Sequence, residues 1–242
     1  MQVEIWSDVV CPWCYVGTRR FEAAAERLAA EDGIALEVVH RAFELDPTVP
    51  AGGKDLGGYL AGKFGSAARV AQVRDRLAHA AAGVDVDFRW EGKRRVNTFD
   101  AHRLAAWALE AGGAGAQHDL HQRLFRAYFT DDLDIADHGV LAGLAADAGL
   151  DRDLAAEALA TGAHADTVRA EELRAGELDI HAVPTFLLAG SWAIPGAQDV
   201  DTFVDLLRRA AERLAPLTVD AGAAGAAGTT GDAACDDGAC DV

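Results

Sequence analysis

The stretch SDVVCPWCYVG, residues 7–17, holds two of the chain's four cysteines, Cys11 and Cys14, separated by Pro12 and Trp13. It follows a short apolar run, VEIW at 3–6, that suits a buried strand. From Pro12 onward Phe21, Ala25 and Leu28 share one helical face, while Arg19, Glu22, Glu26 and Arg27 take the other. Cys11 therefore falls at the N-cap of a helix. Pro12 occupies the first helical position, where a missing N–H leaves nothing unsatisfied. A second apolar run, IALEVVHRAF at 34–43, reads as another strand, so the chain opens strand–helix–strand, the pattern of a parallel pair with a crossover helix.

Residues 46–65 are rich in Gly and Pro and read as a loop with at most a short helix. Helical periodicity then dominates. One helix is expected over 66–82, with Val70, Val73, Leu77 and Ala81 as its apolar stripe. Another starts at an Asn97 cap and ends at Gly112-Gly113. Further helices are expected over 117–129, 137–148, 151–160 and 163–178, with Asp137 and Asp151 as caps. The period changes at VPTFLLAGSWAIPG, 183–196, which reads as two short strands turning at Gly190-Ser191. A last helix, about 201–214, should bury Phe203, Leu206, Leu207, Ala210 and Leu214. The fold class is thus α/β: a β-α-β unit (1–50) and a β-β-α unit (180–216) form one discontinuous domain, with an all-helical insertion over 51–179. Residues 217–242 lack aromatic side chains and carry almost no bulky aliphatic ones, a composition expected to be disordered.

Composition limits the function classes. The chain has 242 residues, half of them apolar, so a sizeable core can form. Its formal charge of −17 disfavours nucleic acid and anionic lipid as partners. The start, MQVEIWSD, has neither a basic nor an apolar leader region, and no apolar run is long enough to span a membrane. The expected location is the cytoplasm, where thiols are kept reduced and a close cysteine pair is more often catalytic or metal-binding than a structural staple.

At a helix N-cap, free backbone N–H groups and the positive helix end favour a thiolate. A thiol whose pKa is lowered to about 6 is roughly 90% ionised at pH 7. Cys11, at the exposed helix end, is then the expected attacking thiol, and Cys14, one turn inside and more shielded, the resolving one. Two alternatives compete. A zinc site would need two more ligands, and the folded part offers no second CxxC and no HxxxH; only Cys235 and Cys240 could complete four thiolates. Inert buried thiols are the other alternative, against which the helix-end position argues.

Three motifs in order, SDVVCPWC, NTFDAHRL (97–104) and AVPTFLLAGSWAIPGAQ (182–198), resemble the DsbA family of thioredoxin-fold oxidoreductases, with the cytoplasmic FrnE-like branch the nearest pattern. The resemblance spans about residues 1–215. It implies a thioredoxin fold with a helical insertion, thiol–disulfide oxidoreductase or disulfide isomerase activity, and no cofactor beyond the redox disulfide itself. It also implies protein thiols or disulfides as substrates and glutathione or thioredoxin as electron partner. Carried over, it makes Cys11 the nucleophile, Cys14 the resolving thiol, and Val183-Pro184 a cis peptide facing them, against which an extended substrate could lie as an added strand. Asn97, Thr98 and His102 match its element beside the groove. Asn97 reads better as a cap, while His102 is either a satisfied core histidine or a groove residue. Asp8 either carries a proton or caps its turn, the second being favoured. His181 departs from the pattern, which often has a small residue there, so the family's redox poise does not transfer.

A second cysteine pair in the tail, Cys235 and Cys240, is also similar to FrnE-like proteins. The linker of about 19 residues that precedes it spans roughly 24 Å, enough to bring these thiols to Cys11. The tail pair is either a relay or brake for the first pair, or a passive or metal-sequestering segment. A glutathione-dependent isomerase of the 2-hydroxychromene-2-carboxylate type shares the fold, but such enzymes usually carry Ser where Cys11 stands, and both cysteines here argue against that activity.

Overall fold

Strand β1 (Gln2–Ser7) runs through the centre of a four-stranded sheet of order β2-β1-β5-β6, and every residue of it after Gln2 is buried. The computed structural model describes residues 1–90 and 92–214; the Cys235–Cys240 pair lies outside them. Helix α1 (Pro12–Asp32) leads from β1 to β2 (Glu37–Ala42), which is parallel to β1 in the register Val3↔Val38 and Trp6↔Arg41. Late in the chain, β5 (Thr185–Leu188) and β6 (Trp192–Pro195) form the expected hairpin. β5 lies antiparallel to β1, with Trp6 opposite Thr185. That register decides the site: it sets residues 182–184, just before β5, beside the chain leaving β1 toward Cys11.

Alternation along β1 sends Val3 and Ile5 to one face and Glu4 and Trp6 to the other. On the first face α1 and α8 (Val200–Leu214) close a core around Phe21, Phe186 and Phe203, whose ring centroids are 4.8–5.5 Å apart. α8 buries Phe203, Val204, Leu207 and Ala210; Leu206 is only half-buried and Leu214 is exposed, because the burying face runs through Val204 instead. On the second face Trp6 and Leu187 meet Ala175 and Ile180 at the end of α7 (Ala165–Glu177).

The residues between the two halves of the sheet are mainly helical. β3 (Lys54–Asp55) and β4 (Arg94–Arg95) pair briefly, a contact without a sequence signal. α2 (Leu56–Phe64) is the short helix of the Gly-rich stretch, and α3 (Ala67–Ala81) starts at the Ser66 cap. The stripe expected on α3 is only partly buried: Leu77 and Ala81 are, Val70 and Val73 are not. The two helices expected over 97–112 and 117–129 are one rod, α4 (Phe99–Phe129), broken at Gly113, whose φ of 77° and ψ of −175° are outside helix geometry. α5 (His138–Asp147) and α6 (Arg152–Thr161) start at the expected caps, Asp137 and Asp151, and pack on α4. Among the described residues no helix is long and apolar enough to cross a membrane.

Glu4 puts a carboxylate on the buried second face of the sheet. Its oxygens accept from Arg41 Nε at 2.7 Å and from Arg174 Nη1 and Nη2 at 2.6 and 2.7 Å. The hydrogen bond from Arg174 lowers its pKa below the usual carboxylate range; burial opposes this, and the bond and charge of Arg41 add to it. A depressed carboxylate pKa gives stability that is present above the unfolded value and lost as pH falls through the folded one. Glu4→Gln should therefore destabilise the protein at pH 7 by about 1–3 kcal/mol, discounted because both arginines are partly in water. The gap between the two proteins should close below about pH 4, as checked by urea melts at both pH values.

Candidate active site

Cys11 is the N-cap of α1, with φ −90° and ψ 113°, and Pro12 follows at the start of the helix. Its amide donates to the Asp8 carbonyl at 3.0 Å, and its own carbonyl accepts from the amides of Cys14 and Tyr15 at 3.0 and 3.2 Å. The helix therefore starts with its cysteine held by backbone on both sides. Across from it the Val183–Pro184 peptide bond is cis, and the Cys11 thiol donates to the Val183 carbonyl at 3.9 Å. The loop is tied down by Gly196 N–H to the Pro184 carbonyl (2.8 Å) and by Thr185 Oγ1 to the Ala182 carbonyl (2.8 Å).

The expectation of an exposed Cys11 is corrected: the residue is 6% exposed. Both cysteines belong to the apolar cluster formed by the start of α1 and helices α4–α6, against which Val10, Trp13 and Val183 pack. Cys11 nevertheless lines a cavity of about 240 Å³ shared with Pro12, Trp13, Val49, Phe64 and Val73. That cavity accounts for the unburied half of the α3 stripe, since Val70 and Val73 turn toward the cysteine rather than into a core. Cys14 is fully buried, and both thiols are free. Burial raises the Cys14 pKa well above the ordinary thiol value, and the hydrogen bond and charge of the adjacent Cys11 raise it further. Cys14 thus holds its proton until a base removes it.

A buried ion pair stands beside the cysteines. Asp8 Oδ2 accepts from the Leu45 amide at 2.8 Å, and Oδ1 accepts from the Val10 amide at 3.4 Å and lies 3.6 Å from His102 Nε2. Both side chains are almost wholly buried. Asp8 therefore holds its turn, as expected, and also faces a histidine. Burial works against charge on His102, but Asp8, then Glu44 and Glu171, outweigh it and raise its pKa. Thr98 is buried in the cavity wall at the N-cap of α4. Asn97 stands apart from the cavity: Oδ1 caps the Phe99 amide at 3.0 Å and Nδ2 donates to the Val49 carbonyl at 3.0 Å. His181 is exposed and pairs with Asp179 at 2.8 Å.

Three further histidines, the buried His40 and His121 and the partly exposed His118, have no part in the sequence-based site. The spacing His118-x-x-His121 on one helix was visible in the sequence, but the third ring comes from β2 and needed the tertiary fold. The cations Lys63, Arg74 and Arg95 at the cavity had no pattern to mark them.

A family profile, the DSBA-like thioredoxin domain, matches residues 2–208. The crystal structure of a probable DsbA oxidoreductase from Streptomyces coelicolor is similar at 37% identity and a TM-score of 0.80, over 96% of this chain and 100% of that one. The uncharacterized protein YwbO of Bacillus subtilis (strain 168) is 30% identical over 208 residues, 84% of this chain and 94% of its own length. The cytosolic disulfide reductase DsbM of Pseudomonas aeruginosa shares the fold at 20% identity and a TM-score of 0.61, over 88% of this chain and 100% of that chain.

Two substitutions test the geometry. A Cβ on Gly17 would lie 2.9 Å from Pro184 Cγ and 3.2 Å from Ala197 Cβ, so Gly17→Ala should cost about 1–3 kcal/mol in a urea melt and slow turnover by displacing the 183–184 loop. His102→Gln removes a group whose raised pKa gives stability that is full below the unfolded value of about 6.5 and lost as pH rises through the folded one. Its destabilisation should be larger at pH 6 than at pH 9 in the same assay.

Proposed function

The chain belongs to the DsbA-like thioredoxin-domain family and is a thiol–disulfide oxidoreductase, and on that premise we propose that it exchanges disulfides with extended protein segments through Cys11 and Cys14. One observation carries this reading: the sulfur of the helix-capping Cys11 meets both an apolar cavity and the Val183 carbonyl. A substrate cysteine placed in the cavity mouth lies beside backbone against which its chain can add as a strand. An apolar neighbour of that cysteine fills the space between α2, α3 and Trp13.

In the reductive direction the Cys11 thiolate attacks one sulfur of a substrate disulfide, forming a mixed disulfide and expelling the other sulfur as a thiolate. Cys14 then loses its proton and attacks Cys11 Sγ, closing the Cys11–Cys14 disulfide and releasing the second substrate sulfur. Two electrons pass to the substrate, and a dithiol such as thioredoxin, or two glutathione molecules, returns them. The opposite direction uses the same steps in reverse. The protonated, buried Cys14 sets the timing, because the mixed disulfide persists until a base acts on it.

In an insulin-reduction assay Cys11→Ser should abolish turnover. Cys14→Ser should accumulate a mixed disulfide with the substrate, visible on non-reducing gels. Turnover retained by Cys11→Ser would sink the proposal.

A further inference from the structure

Burying imidazole rings without hydrogen-bond partners is unfavourable by about 1–3 kcal/mol for each orphaned group, and apolar side chains would fill the same space more cheaply. This protein has four histidines between its surface and the redox pair, three of them in contact. At the outer end Glu22 Oε1 of α1 lies 2.8 Å from His118 Nε2, and the His118 side chain is 24% exposed in a surface depression. His118 Nδ1 is 3.0 Å from His40 Nε2. The His40 ring is 4.0 Å, centroid to centroid, from that of His121. At the inner end His102 faces Asp8 at 3.6 Å, in the turn that holds Cys11. His40 Nδ1, both ring nitrogens of His121 and His102 Nε2 are buried and have no hydrogen-bond partner among the described residues.

The row is held in place by design of the backbone around it. Gln117 accepts from the His40 amide at 2.9 Å and donates to the His40 carbonyl at 3.0 Å and to the Ala105 carbonyl at 3.2 Å. One side chain thereby fixes the edge strand to both arms of the broken helix α4. His102 lies on one arm, His118 and His121 on the other, and His40 on β2, the edge strand of the sheet.

We propose that His118, His40, His121 and His102 form a proton path between solvent and Asp8, serving the deprotonation of Cys14 when the mixed disulfide resolves. The inference rests on the disulfide-exchange reading above. The step balances as follows. Cys14 S–H gives its proton to the Asp8 carboxylate and the resulting thiolate attacks Cys11 Sγ, while protonated His102 passes its own proton outward and takes the one held by Asp8. The Cys11–Cys14 bond forms while the bond from Cys11 to the substrate breaks, and the substrate leaves as a thiolate. The proton passes along the rings to Glu22 and water. Reduction of the protein's disulfide runs the proton inward. A neutral imidazole can accept on one nitrogen and donate from the other, and His121, hydrogen-bonded to neither His40 nor His102, has to turn its ring to take the proton from one and give it to the other. Burial, with the charges of neighbouring histidines, holds His40 and His121 well below the usual histidine pKa, so both rest neutral. The charged groups facing the row are Asp8 in the β1–α1 turn, Glu44 after β2, Glu171 on α7, and the Arg19–Glu22 pair on α1.

A chromogenic aromatic disulfide, 5,5′-dithiobis(2-nitrobenzoate), separates the two steps in a stopped-flow experiment on the reduced full-length chain carrying Cys235→Ser and Cys240→Ser, in which Cys11 and Cys14 are the only thiols. Attack by Cys11 releases a first coloured thiolate, and closure by Cys14 releases the second. His121→Ala should leave the first phase unchanged and slow the second about tenfold or more near pH 7. Added imidazole, which can occupy the vacated space, should restore the second phase, whereas pyrrole, a ring of the same size without a basic nitrogen, should not. His118→Gln, at the solvent end where folding is little affected, should slow the same phase. An unchanged second phase in His118→Gln, or equal restoration of His121→Ala by pyrrole and imidazole, would overturn the proton path. If Cys11→Ser still released the first thiolate, the disulfide-exchange reading itself would fail, a result distinct from either of these.

Discussion

Pro184 packs on α1 at Gly17, where the helix has no side chain to keep it away. Any Cβ there would stand 2.9 Å from Pro184 Cγ, so the approach of the loop to the helix is set by a missing methyl group. The β1–β5 register delivers the loop to that spot, with Trp6 opposite Thr185, and the Gly196-to-Pro184 hydrogen bond holds it. The distance between Cys11 and the Val183 carbonyl follows from these three constraints. They come from residues 6, 17 and 183–197, which meet only because the sheet places the late hairpin beside the first strand.

Electrostatics then divides two chemically identical thiols. Cys11 ends a helix and lines a cavity, whereas Cys14 is one turn deeper, inside an apolar cluster that raises its pKa. If Cys14 resolves a mixed disulfide as proposed, a sulfur that keeps its proton needs a base that works without water. The Asp8–His102 pair is the buried titratable couple in that position. Its cost of burial is reduced by two backbone amides donating to Asp8 and by the charge of His102. The same low-dielectric surroundings that make the pair costly also make proton transfer within it sensitive to small changes in geometry.

The framework was legible because its signals are local. Cys11-Pro12 at the head of an amphipathic run, Asp137 and Asp151 as caps, and the 183–196 hairpin all reappear in the structure within a residue or two. Gly112-Gly113 was readable as a break, though not as a kink inside one rod, because continuity across Gly113 depends on what both arms pack against. The burial of Cys11 was not legible. Periodicity places a residue at the helix end, but its surroundings include a contact across 172 residues, the pairing of Cys11 with Val183. Nor could the role of Val70 and Val73 be read, since an apolar stripe has the same appearance whether it faces a core or a ligand cavity.

That ambiguity bears on how substrates enter. α2 buries no side chain fully, and α3 buries only Leu77, Ala80 and Ala81, yet together they supply much of the apolar wall opposite Cys11. Helices so lightly anchored belong to the low-stability end of a fold, where local opening is least costly. Arg95, stacked on Tyr59 of α2 at 3.8 Å and paired with Asp46 at 2.6 Å, is one polar tie between this cover and the rest of the protein. Under the protein-substrate proposal, a segment too large for a cavity of about 240 Å³ would reach Cys11 only if α2 and α3 moved aside, exchanging their own leucine, phenylalanine and valine contacts for those of the substrate. Such an exchange would be close to neutral in apolar area, and the closed cover keeps the sulfur of Cys11 out of water.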